Sequence, residues 1–120
     1  MDAALDLVRA GVGGLVAALG LVFIAGGVLG MLRFPDFYTR LHAARVSDGV
    51  GAVLVCLGLA IMARDGAVAL RLLLLALLIG AIGPLIAQLI ANAAHVGGLA
   101  PLSGRYAAPR PGGKRSEDEA

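Results

Sequence analysis

The chain has 120 residues, 59% of them hydrophobic and only 15% charged, with a mean hydropathy of +0.90. A soluble domain carries about 25% charged and about 45–50% apolar residues, so an ordinary water-soluble globule is excluded and a membrane protein is predicted. The net charge of +2 is small and gathered at the ends of apolar runs, which argues against nucleic acid as a partner.

The N-terminus, Met1 to Asp6, is acidic where a secretory signal would be basic, so the first apolar segment is predicted to be a retained transmembrane helix. Ala10 to Leu32 is free of charge and long enough to cross a hydrocarbon core of about 30 Å; the expected span is 8–32. Gly13, Ala17, Gly20 and Gly27 fall on one helical stripe, and Gly26 and Gly30 form a G-x-x-x-G. Small residues on one face let helix backbones approach closely in lipid.

A polar connector follows, Arg33-Phe34-Pro35-Asp36-Phe37-Tyr38-Thr39-Arg40-Leu41-His42-Ala43-Ala44-Arg45. Proline suits the first turn of a helix, so Pro35-Asp36 is expected to open one, with Asp36 facing Arg40 one turn on. This helix either lies at the interface or runs straight into the second span. Phe37, Leu41, Ala44 and Asp48 share one face in helical register; Tyr38, His42 and Arg45 lie beside it.

Gly49 to Ala63 is apolar but too short to span. The second span, expected at 46–66, must borrow residues from one side or both: backwards, taking in Asp48, or forwards, leaving Arg64 to snorkel. An intramembrane carboxylate is costly, so Asp48 is expected near the boundary and facing protein. Cys56, the single cysteine, sits in this apolar run; it excludes an internal disulfide and reads as a small buried hydrophobe.

Arg64-Asp65-Gly66 is a turn candidate. The third span, expected at 71–95, holds Pro84 near its middle, which should kink it, and then Gln88, Asn92 and His95 on one polar stripe. From Pro101 onward glycine, proline and charge dominate, predicting a flexible, disordered tail over 101–120. The expected fold is therefore an all-α integral membrane protein: a three-helix transmembrane domain over 1–100 and a tail. The arginines and lysine lie mostly in the connector and tail. The positive-inside rule then predicts an external N-terminus with connector and C-terminus in the cytoplasm.

No enzyme motif is present: no phosphate-cradling loop, no histidine pair at metal spacing, and no nucleophile beside a base. Neither catalysis, a metal site nor a cofactor is predicted. Asp48 and His42 are the candidates for an ion or proton pathway, because intramembrane ionisable groups are functional by default and a histidine can pass protons near neutral pH. The structural alternative is that Asp48 pairs with Arg45 or Arg40 and His42 anchors the helix end. Arg33, Arg40 and Arg45 also read as contacts to anionic lipid or to an acidic partner subunit. The Gln88, Asn92 and His95 stripe reads either as interhelical hydrogen bonding or as a hydrated path.

The string from Gly30 to Ala44, with Asp48 and Gly51 after it, resembles the hallmark of the G subunit of Mrp-type (Mnh, Pha) multisubunit cation/proton antiporters. The likeness covers most of Leu5 to Gly98 and includes Pro84. Departures are Arg45-Val46 where the family often has Thr-Lys, Gly49 for a frequent Thr, and Gln88 and Asn92 where histidine and arginine are usual. The resemblance implies an accessory subunit of the bacterial plasma membrane, in an assembly exchanging Na+ or K+ for H+ in pH homeostasis. Its implied partners are the other membrane subunits, against which the glycine-rich face would pack, and the lipid bilayer. Rival readings are a holin-like pore former and a pure scaffold of the same complex.

Overall fold

The computed structural model describes residues 1–99; the expected tail lies outside the described residues. Helix α1 runs Asp2–Arg33, longer at its N-terminal end than the expected span. It stops where it does because a residue before proline is pushed out of the helical region. Phe34 is extended (φ −75, ψ 134) while its N–H still donates to Gly30 O.

Helix α2, Phe37–Arg45, starts two residues later than expected. Pro35 lies outside it, and Asp36 is the N-cap rather than a first-turn residue: its carboxylate accepts from Thr39 N at 3.3 Å, and Thr39 Oγ1 donates to Asp36 O at 2.9 Å. The cap position wins because an extended Asp can satisfy a free amide of the first turn, which a helical one cannot.

From α2 the chain continues without a break through a wide π-helical turn, Val46–Gly51, into α3, Ala52–Met62. The connector therefore runs straight into the second span, and the whole rod, Phe37–Met62, has 26 residues. Of the two ways to reach spanning length, the chain borrows backwards and includes Asp48. Arg64 is left in the turn, where it pairs with Asp6 at 3.0 Å, instead of snorkelling from within a helix.

Helix α4, Gly66–Val96, begins at the N-cap Asp65 and continues through Pro84. It ends in a turn where Gly98 takes φ 90, a left-handed conformation that glycine adopts without a Cβ clash. Among the described residues, three helices are thus long and apolar enough to cross a membrane.

The helices stand in a row. The Phe37–Met62 rod is in the middle, and α1 and α4 do not touch one another. The middle helix accordingly has 22% of its apolar window buried, against 11% for each outer helix. Buried apolar side chains are all small: Ala43, Cys56, Ala60, Ala76 and Ala87. The large ones face outward, as suits a thin wall surrounded by lipid and other helices.

The seam between α1 and the middle rod is made of backbone against backbone. A Cβ on Gly20 would lie 2.7 Å from Gly51 O, one on Gly27 2.7 Å from Ala43 O, and one on Gly58 2.5 Å from Ala17 N. The stripe Gly13, Ala17, Gly20, Gly27 is therefore a packing face, but it is occupied by the chain's own second helix. The expectation that it meets sister subunits is corrected: the nearest apolar partner is covalently tethered, so association within the chain needs no encounter. The G-x-x-x-G does not act as a unit. Gly30 packs on Ala43, where a Cβ would sit at 2.9 Å, whereas Gly26 faces open space.

Candidate functional site: a lateral groove beside the connector

The connector is pinned at several points. Besides the Asp36 cap, Arg40 Nε donates to Phe34 O at 2.6 Å, so Arg40 turns back over the break instead of reaching along the helix. Tyr38 OH donates to Leu99 O at 2.8 Å, tying the start of α2 to the end of α4. Phe37 and Tyr38 stack edge to face with centroids 5.7 Å apart. Asp36 is buried, while Arg33, Arg40 and Arg45 are exposed. The arginines thus stand on the outside at one end of the row, free to meet phosphate or acidic groups.

Between the middle rod and α4 a groove of about 900 Å³ opens sideways. His42, Arg45 and Asp48 line one wall; Gly80, Gly83, Pro84 and Ala87 are on the other. The two candidate pathway residues are therefore brought to one feature, and both are exposed.

Depth follows from two contacts between the antiparallel helices. Tyr38 reaches Leu99, and Val53 is the neighbour of Gly80, at 3.7 Å from a Cβ built there. Interpolating between them sets Asp48 level with about Ala87. Gly83 is the midpoint of the uncharged run Leu72–Ala94, so Asp48 is only ~6 Å along the helix axis from the level of that midpoint, at 1.5 Å per residue. A carboxylate at the bilayer centre costs about 2.5–3.5 kcal/mol on insertion scales.

Asp48 makes neither a hydrogen bond nor an ion pair among the described residues. The turn that holds Asp48, three residues after Arg45, closes i to i+5 rather than i to i+4, so it winds less per residue than an α-turn and widens the angle between the two side chains. The structural alternative for Asp48, a pair with Arg45 or Arg40, is not the arrangement seen.

That wide turn is also what keeps the seam in step. Gly13, Gly20 and Gly27 repeat every seven residues, but on the facing rod Ser47 to Met62 covers 15 residues where Gly13 to Gly27 covers 14. The extra residue is absorbed in Val46–Gly51, which lets Ala43, Ser47 and Gly51 all face α1 while Asp48 faces away. Sequence reasoning missed this turn, and it missed the buried Ser47. The available signal is the run of small residues Ala43, Ser47 and Gly51 spaced by four, then Gly58, which outpaces a regular seven-residue repeat.

The Gln88, Asn92 and His95 stripe lies elsewhere. Gln88 and Asn92 are exposed and His95 half-buried, none of the three lines the groove, and their side chains bond no described residue. Pro84 removes the donor that Gly80 O would otherwise accept, and Gly80 is among the residues that line the groove. Among the described residues no three His, Cys, Asp or Glu side chains gather to hold a metal.

Residues 16–95 match the PhaG/MnhG/YufB family model, a Na+/H+ antiporter subunit. The chain belongs to this family. It is 37% identical over 79 residues to the Na(+)/H(+) antiporter subunit G1 of Staphylococcus haemolyticus, covering 64% of this chain and 67% of that one. With a UPF0091 protein of Pyrococcus horikoshii it shares 40% over 82 residues, 68% of this chain and 80% of the other. Its fold matches a chain of the Mrp complex from a Dietzia species at TM-score 0.75 and 33% identity, covering 84% and 92% of the two chains. It also matches a chain of the membrane-bound sulfane sulfur reductase, an archaeal respiratory complex, at TM-score 0.71 and 28% identity, covering 78% and 88%. The chain is thus a multi-pass accessory subunit of a multisubunit antiporter, a transporter component that works among other membrane subunits.

Proposed function

We propose that this G subunit contributes one wall of an ion passage in an assembly that exchanges Na+ or K+ for H+, with Asp48 and His42 as the working groups. The carrying observation is that both line a single laterally open groove between the middle rod and α4. The subunit itself performs no catalytic step and holds no cofactor. Its N-terminus is external and its arginine-rich connector cytoplasmic, where Arg33, Arg40 and Arg45 set depth against anionic lipid.

The shared fold of an antiporter chain and a respiratory-complex chain supports a module that gives its surroundings a shaped wall, not one that transports alone. That speaks against a holin-like pore former, which would need no place among larger subunits.

The experiment is cation/proton exchange in vesicles holding the intact complex, with assembly verified first. Asp48→Asn is expected to lower exchange at least tenfold, and His42→Ala to reduce it less. Normal exchange by both variants in a fully assembled complex would leave the scaffold reading in place of this one.

A further inference from the structure

We infer that the groove is covered, in the assembled complex, by a transmembrane helix of a sister subunit carrying a lysine or arginine opposite Asp48. The inference rests on the reading of Asp48 as the polar group of a passage wall, and it names the partner of that wall.

The argument is one of donors and acceptors. Among the groove's lining residues the side-chain donors, His42 and Arg45, sit at its outer end. Further in, the polar side chain is the Asp48 carboxylate, an acceptor when ionised, and Gly80 lines the groove at a carbonyl to which Pro84 cannot donate. The remaining walls are apolar: Val53, Leu54, Ile82 and Ile86 among others. Whatever fills the groove at the level of Asp48 must therefore be apolar along most of its length and donate at one point.

A lipid acyl chain meets the first requirement and fails the second. At the level of Ala87, well inside the hydrocarbon, a phospholipid presents only methylenes and cannot satisfy a carboxylate. An apolar helix with one basic side chain meets both, and intramembrane ionisable groups characteristically pair with one another across a bundle interior. The chain's own described helices do not supply the group. Arg45 lies toward the groove's outer end and makes no ion pair with Asp48, and α1 lies on the far side of the middle rod. A sister subunit is therefore the source, as membership of a multisubunit family requires one to be present. An ion pair at this place also suits a passage wall, because a passing cation or proton can loosen it.

The test uses the whole complex, with a photoreactive benzoylphenylalanine placed at Val50 or Ile86 in the groove and at Leu89 or Leu15 outside it. The groove positions are expected to cross-link a sister-subunit helix with a lysine or arginine within one turn of the attachment point. Asp48→Lys should then lower recovery of assembled complex at least tenfold, and reversing the sign of the cross-linked basic residue in the same strain should restore it. Cross-links to lipid alone, a cross-linked helix without a basic residue, or wild-type assembly of Asp48→Lys would each overturn the inference. Exchange by Asp48→Asn, measured in the same preparations, separates the two readings. Lost exchange without a basic partner helix leaves the passage standing and removes this pairing. Normal exchange with the pairing established does the reverse.

Discussion

Gly20 of α1 and Gly51 of the middle rod meet backbone to backbone: a Cβ on Gly20 would lie 2.7 Å from Gly51 O, and one on Gly51 3.1 Å from Gly20 O. Neither position has room for a side chain. Replacing Gly20 with valine is expected to destabilise the chain by about 3 kcal/mol or more, since overpacking costs about 1–3 kcal/mol even where side chains can yield, and here the obstruction is backbone. Unfolding of the purified subunit by titration of a denaturing detergent checks it; a change below about 0.5 kcal/mol would refute the seam.

Gly26 gives the opposite result in the same assay. It faces open space within the chain, and alanine is a better helix former than glycine by about 0.8–1.0 kcal/mol in soluble hosts. Gly26→Ala is expected to leave the isolated subunit as stable or slightly more so. If complex recovery nonetheless falls, Gly26 belongs to an intersubunit contact.

The connector depends on its cap. Asp36 is only 8% exposed, and its carboxylate is the acceptor for Thr39 N. Asp36→Ala is expected to cost about 1 kcal/mol, visible as faster amide exchange at Phe37 to Thr39, whereas Asp36→Ser should recover most of the loss.

Pro84→Ala restores a donor to Gly80 O. Proline inside a helix costs about 3 kcal/mol relative to alanine in water, and neighbouring groups offset part of this in membranes. The variant is expected to gain about 1–2 kcal/mol and to show a slowly exchanging amide at position 84. An unprotected amide there would mean that α4 is not closed at this turn.

Sidedness is tested by thiol labelling in a Cys56→Ser background. A cysteine replacing Asp65, in the turn after the middle rod, is expected to react with a membrane-impermeant maleimide from outside intact cells. One replacing Thr39 should react only after the membrane is opened. The reverse pattern would invert the topology.

Much of this was legible in the residues. The break at Phe34-Pro35 was readable because a residue before proline leaves the helical region, and the two long uncharged runs because bilayer thickness sets helix length. The stripe of Gly13, Ala17, Gly20 and Gly27 could be recognised as a packing face, but not its occupant, since any helix with small residues in register would do. Asp48 and His42 could be singled out by their chemistry. Their shared groove, and the depth of Asp48, depend on how α4 lies against the middle rod, which Tyr38–Leu99 and Val53–Gly80 establish only in three dimensions.

By itself, then, the amino-acid order determined that the chain would cross a membrane in three helices joined by a polar connector, because hydropathy and proline act locally. The tertiary structure alone decided what each face meets. Matching a seven-residue glycine repeat on α1 to a partner with one residue too many required the wide turn at Val46–Gly51. That turn follows from the pairing of two helices rather than from either helix alone. It is also what turns Asp48 out of the seam and into the groove.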